Sequence, residues 1–150
     1  MKTLLLLFLA ALVSSTTFAQ YDPALAAKLG ADEYGMKKYV LVLLKKGTGD
    51  ASQEEKQKAF QGHMANIQKL AAENKLVLAG PVLADNPQKL VGIFIFNTDN
   101  FDAAKEMLAG DPAVAAHLLE PELYAWYGTA ALQEIPVEHG KIQKRKPGGD

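Results

Sequence analysis

Two stretches of this chain, Tyr39-Val-Leu-Val-Leu-Leu44 and Leu90-Val-Gly-Ile-Phe-Ile-Phe96, are apolar at odd and even positions alike. A strand in a sheet covered on one face alternates apolar with polar residues, so strands that are apolar throughout belong to a sheet with both faces covered. The residues around them set the remaining elements. Gly47-Thr-Gly-Asp50 closes the first strand, and Ser52-Gln-Glu-Glu55 has the Ser-x-x-Glu form of a helix start. A helix from about Gln53 to Glu73 follows, with Phe60, Met64, Ile67, Leu70 and Ala71 recurring at three and four to form one apolar stripe. Lys75 to Pro81 reads as a second strand ended by Gly80-Pro81, and Leu90 to Phe96 as a third after Asp85-Asn-Pro87. Phe101, Ala104, Met107 and Leu108 mark a second helix, with Gly110 at its C-terminal cap. Asp111-Pro112 has the form of an N-cap and first residue of another short helix, and Glu122 to Tyr127 supplies a fourth strand.

The order β-α-β-β-α-β predicts an α+β, ferredoxin-like sandwich: one antiparallel sheet with both helices on the same face. The chain has no further long helix for the second face. A second copy packed through that open sheet face, giving a two-fold homodimer, is the first expectation, and an arm or tail folded back over the sheet is the other.

The ends of the chain lie outside this unit. Residues 1–19 carry Lys2, an apolar run from Leu4 to Val13 and the triplet Thr17-Phe18-Ala19, the form of a secretory signal peptide. The run is well short of the roughly 20 residues that span a bilayer, so cleavage after Ala19 with no membrane anchor is expected. The product is then exported, and periplasmic if the host is Gram-negative. Residues 20–37 read as an arm with a helical hint at Pro23–Leu29, residues 38–128 as the domain, and residues 129–150 as an extension. That extension holds a possible strand at Gln133–Val137 and a basic, Gly-ending tail from Lys141, expected to be disordered.

Composition removes several classes of function. The chain has no cysteine, which excludes thiolate metal sites and cysteine nucleophiles. Its formal net charge is −1, without the basic excess that binding nucleic acid requires. Ser52 is the one serine after Ala19 and is taken by a cap, and no Gly-rich phosphate loop follows a strand.

His63 falls on the apolar stripe of the first long helix, between Phe60 and Ile67, so its ring points toward the sheet. Imidazole changes charge nearest neutral pH, which suits a proton acceptor and donor in a pocket; the alternative is a core histidine satisfied by a neighbour. Asp111 before Pro112 is explained by capping alone, yet a capping carboxylate can also face a cleft and orient an imidazole. Spacing leaves both readings open. His117 and His139 show no metal-ligand spacing with His63, so no metal site is expected. Tyr124, Trp126 and Tyr127 on the last strand read first as core aromatics, with Tyr124 the phenol taken as the alternative to line a pocket. Gly80 and Pro81 at the second strand's end complete the candidate substrate-binding set.

The run Phe60-Gln-Gly-His63-Met-Ala-Asn-Ile67, then Lys75-Leu-Val-Leu-Ala-Gly-Pro81, Gly92-Ile-Phe-Ile-Phe96 and Asp111-Pro-Ala-Val114, resembles the YCII-related domain from about Lys38 to Gly128. The resemblance implies a dimeric α/β barrel of ferredoxin-like subunits. It also implies that the helix histidine and the aspartate of the short helix, His63 and Asp111 here, face a common cleft as an acid/base pair. Related barrels include muconolactone isomerase and chloromuconolactone dehalogenase, so cofactor-free proton shuttling on a small organic molecule is the implied chemistry. A non-catalytic module that binds a small envelope ligand, or a purely structural dimer, is the alternative. The signal peptide, arm and basic tail depart from the plain domain, so a cytoplasmic substrate does not carry over.

Overall fold

In the computed structural model, which describes residues 20–145, the chain forms strand β1 over Met36–Lys46, longer at both ends than its apolar run. Pleating sends Val40, Val42 and Leu44 to one face and Tyr39, Leu41 and Leu43 to the other. Around β1 stand helix α1 (Pro23–Leu29), helix α2 (Gln53–Ala72), strands β2 (Leu76–Pro81) and β3 (Leu90–Phe96), and helix α3 (Phe101–Ala109). The chain continues through helix α4 (Pro112–Ala115), strand β4 (Leu119–Thr129), a 3-10 turn (Ala130–Glu134) and helix α5 (Ile135–Ile142). Residues 1–19, read above as a signal peptide, and the last five tail residues lie outside the described residues. Among the described residues no helix is long and apolar enough to cross a membrane.

The sheet runs β2-β3-β1-β4, antiparallel throughout. That order, with two helices on one face, is the ferredoxin-like α+β fold. Its main core holds Val40, Val42 and Leu44 of β1, Phe94 and Phe96 of β3, Leu70 of α2, and Ala104 and Leu108 of α3. Start signals sit where the sequence puts them. Ser52 accepts the Glu55 amide at 3.3 Å while Glu55 accepts the Ser52 amide at 2.7 Å, and Asn100 and Asp111 cap α3 and α4.

The second face is partly covered by the chain itself. Tyr39, Val77 and Ile95 are buried there, with Leu132 of the 3-10 turn packed against them beside Trp126, Leu41 and Leu78. The strand expected at Gln133–Val137 does not form, because Pro136 cannot donate to a ladder but fits the first turn of a helix, which runs to Ile142. Helical structure therefore reaches into the tail that was expected to be disordered. The extension is tied down by Gln133. Its side-chain amide donates to the carbonyl of Leu29 at 2.6 Å, and its oxygen accepts from Asn97 at 3.1 Å, linking α1, β3 and the turn after β4. Tyr124 on this face remains half-exposed.

Candidate active site

The buried stripe of α2 is Ala59, His63 and Leu70, with Asn66 and Ile67 half-buried beside it. Phe60, expected on the stripe, stands at its edge and is 60% exposed. His63 turns toward the sheet, 8% exposed, and stacks on Phe94 of β3 with ring centroids 5.7 Å apart and planes 20° from parallel. Its Nδ1 lies 2.7 Å from Oδ2 of Asp111, whose residue is 0% exposed. Forty-eight positions separate the two in sequence.

What brings them together is the close approach of α2 and α4. Gly62 leaves room for the Pro112 ring; a Cβ at position 62 would sit 2.6 Å from its Cγ. Alanine in a helix normally outranks glycine by about 1 kcal/mol. Here the added methyl meets a rigid ring, so Gly62→Ala is expected to destabilise by about 1–3 kcal/mol, the range of overpacked cores. A urea midpoint that rises in this variant would contradict the tight approach.

All the acceptor capacity of Asp111 is directed. Oδ1 accepts the amides of Ala113 at 2.9 Å and Val114 at 3.4 Å, and Oδ2 accepts from His63 and from the Asn66 side-chain amide at 3.4 Å. Burial pushes this carboxyl up. The hydrogen bond and charge of His63, with the Ala113 amide and Asn66, outweigh that and hold it below the ordinary carboxylate range. An ionised carboxylate only accepts, so Nδ1 of His63 carries the hydrogen, and a ring with no second proton has its lone pair on Nε2. Every buried side-chain nitrogen and oxygen among the described residues has a partner, and Nε2 makes no hydrogen bond among them, so Nε2 reaches the surface.

The depressed Asp111 value fixes a pH dependence. A carboxyl whose folded pKa lies below its unfolded value stabilises fully above the unfolded value, about 3.9. That stabilisation is lost as pH falls through the folded value. Urea unfolding from pH 6 to pH 2 is expected to show stability falling below about pH 4, with a shallower acid slope in Asp111→Asn. Equal slopes would show that this carboxylate is not held low by the fold.

The remaining candidate residues divide. Gly80 and Pro81 close β2 opposite Ile93 and Gly92, one and two positions before Phe94 on β3. Tyr124 is not brought to the pair. It pairs with Leu41 on the opposite face of the sheet, 47% exposed, and donates to Glu122 at 3.0 Å, because the pleat places odd residues of β1 and their β4 partners away from the helices. His117 and His139 are exposed, and no group of three His, Cys, Asp or Glu suited to a metal occurs among the described residues. Asn66, which sequence reading passed over, stands one helical turn after His63 on the same stripe, and that spacing was the available signal. A groove of about 440 Å³ between α2 and α3 is lined by Asn66, Leu70, Met107 and Gly110 among others, and does not include His63.

The family model of the YCII-related domain matches residues 39–126, more than half of the chain. The chain belongs to the YCII-related family. The YCII-related region therefore runs from within β1 to within β4, and it contains both His63 and Asp111. Among solved structures, the chain is similar to 5-chloro-2-hydroxyhydroquinone dehydrochlorinase from Burkholderia phenoliruptrix AC1100, in complex with 2,5-dihydroxybenzoquinone. That likeness has 18% sequence identity, covers 58% of this chain and 92% of that one, and has a TM-score of 0.44. No curated protein matches.

Proposed function

We propose that this YCII-related protein is an exported, cofactor-free acid/base enzyme acting on a small organic molecule, with His63 as the proton-transferring group and Asp111 as its positioning partner. The observation that carries the reading is the combination at one imidazole: Nδ1 bonded at 2.7 Å to a fully buried carboxylate, and Nε2 open to the surface. In the proposed step, Nε2 takes a proton from a carbon next to a carbonyl, and the C–H electron pair moves into the conjugated system as an enolate. The imidazolium, steadied by Asp111, then returns that proton to another carbon, so the net change is an isomerisation that needs no co-reactant. Export rests on the leader-like residues 1–19, and the half-covered second sheet face supports a homodimer.

The test uses the chain from Gln20 in deuterium oxide with a set of unsaturated γ-lactones, following deuterium uptake at the carbon next to the carbonyl by NMR. Wild type is expected to accelerate exchange, and His63→Ala to lose about 10²–10⁴-fold, the usual contribution of a general base. Exchange at equal rates in the two proteins would remove His63 from the chemistry.

A second reading draws on the same carboxylate. Because Oδ1 of Asp111 caps α4 while Oδ2 holds α2, the pair also works as a staple between two helices. On that reading His63→Ala lowers stability without any turnover to lose.

A further inference from the structure

We infer that Phe60 is a specificity-determining residue of this site, one that selects a flat, uncharged, unsaturated ring as the part of the ligand lying beside His63; the inference rests on the acid/base reading of His63. The imidazole has few open approaches. Its Nδ1 edge is taken by Asp111, and one face lies on Phe94. The Phe60 ring lies 6.1 Å from the imidazole, centroid to centroid and inclined at 32°, at the edge where α2 leaves the core. In the inferred arrangement a molecule of six-membered-ring size seated on Nε2 packs on Phe60 as well.

A single exposed phenylalanine needs no explanation in general. This one has company. β1 ends beside the β2–β3 loop, where the Lys46 amide donates to the Lys89 carbonyl at 2.8 Å, and α2 starts a few residues later. The same end of the sheet carries Pro81 and Leu83, the latter 92% exposed. Charge adds the second half of the argument. The charged group bonded to the imidazole is the Asp111 carboxylate, which repels an anion and offers no counter-ion, so a neutral ligand is favoured. Ring-on-ring packing with Phe60 then rewards a flat π-system over a puckered saturated one.

The matched probes 4-cyanophenol and 4-cyanocyclohexanol separate these terms, with affinities measured by NMR titration below the phenol's ionisation range. Wild type is expected to bind the phenol about threefold to tenfold more tightly than the saturated alcohol, the scale of one aromatic contact. Phe60→Ala should erase that preference, and Phe60→Trp should keep it. No preference in wild type, or an equal preference in Phe60→Ala, overturns the inference. So does a change in sedimentation coefficient of Phe60→Ala without a change in preference, which makes Phe60 a contact between copies. His63→Gln distinguishes the two readings. If it keeps the ring preference while neither protein exchanges lactone protons, the acid/base reading fails and the ring site stands.

Discussion

Asp111→Ala is expected to lower the unfolding free energy by about 2–4 kcal/mol, the scale of losing a helix cap together with the acceptor of two buried donors. The loss has two parts. The amides of Ala113 and Val114 lose their cap, typically worth about 1 kcal/mol, and His63 Nδ1 and the Asn66 amide lose their acceptor inside the fold. Asp111→Asn separates structure from chemistry. The two backbone amides require an oxygen at the Oδ1 position, so the asparagine NH₂ must face His63, and a donor there forces Nδ1 to accept. The ring hydrogen then moves to Nε2, and the atom proposed as the base loses its lone pair. Asparagine is also a good N-cap, so this variant should unfold only modestly earlier than wild type. Urea midpoints together with ¹⁵N shifts of the imidazole check both statements. An Nδ1–H tautomer that persists in Asp111→Asn would overturn the account of how Asp111 orients the ring.

Gly47→Ala is expected to be comparably severe for a purely steric reason. A Cβ at Gly47 would lie 2.1 Å from the His117 carbonyl oxygen and 3.0 Å from the Leu118 carbonyl carbon, backbone atoms that no rotamer change can move. The contact is close because the loop is hydrogen-bonded to that segment. Gly47 donates to Leu118 at 2.9 Å and Gly49 donates to His117 at 2.8 Å, and His117 has a left-handed φ of 55°. Overpacking near 3 kcal/mol and a hydrogen bond of about 1 kcal/mol give an expected loss of about 3–4 kcal/mol. For a domain of this size that is a fall in Tm on the order of 10–20 °C. Gly140→Ala in α5 is the control. Nothing lies within 4 Å of its added Cβ, so it should be neutral or stabilise by up to about 1 kcal/mol. A Gly47→Ala protein melting with wild type would show that the loop stands off from residues 116–118.

The parts of this fold that could be read from sequence are those with local causes. Ser52 and Glu55 announce a helix within one turn of chain, Asp111-Pro112 does the same for α4, and strands apolar on both faces demand cover wherever they lie. The cover itself was harder. Gln133–Val137 read as a possible strand, while Pro136, which suits a helix start, carried the opposite signal; the segment is helical, with Leu132 packed against the cluster of Tyr39, Val77 and Ile95. The meeting of His63 and Asp111 is of another kind. It depends on Gly62 admitting Pro112 across two helices, a tertiary fact with no local signature, so residue spacing left it open and only the resemblance to a family suggested it. Phe60 shows the limit of periodicity, which locates the centre of an apolar stripe but not its width.

The double duty of the aspartate makes the two members of the pair unequal witnesses. Natural or laboratory variants screened only for soluble expression will keep an acid or amide at position 111, because losing it costs a helix its first turn. They are held less tightly at 63, whose ring bonds the buried carboxylate but caps no helix. On the acid/base reading proposed above, a histidine that survives such drift under demand for turnover, and vanishes without it, is the marker by which active copies can be told from retired ones.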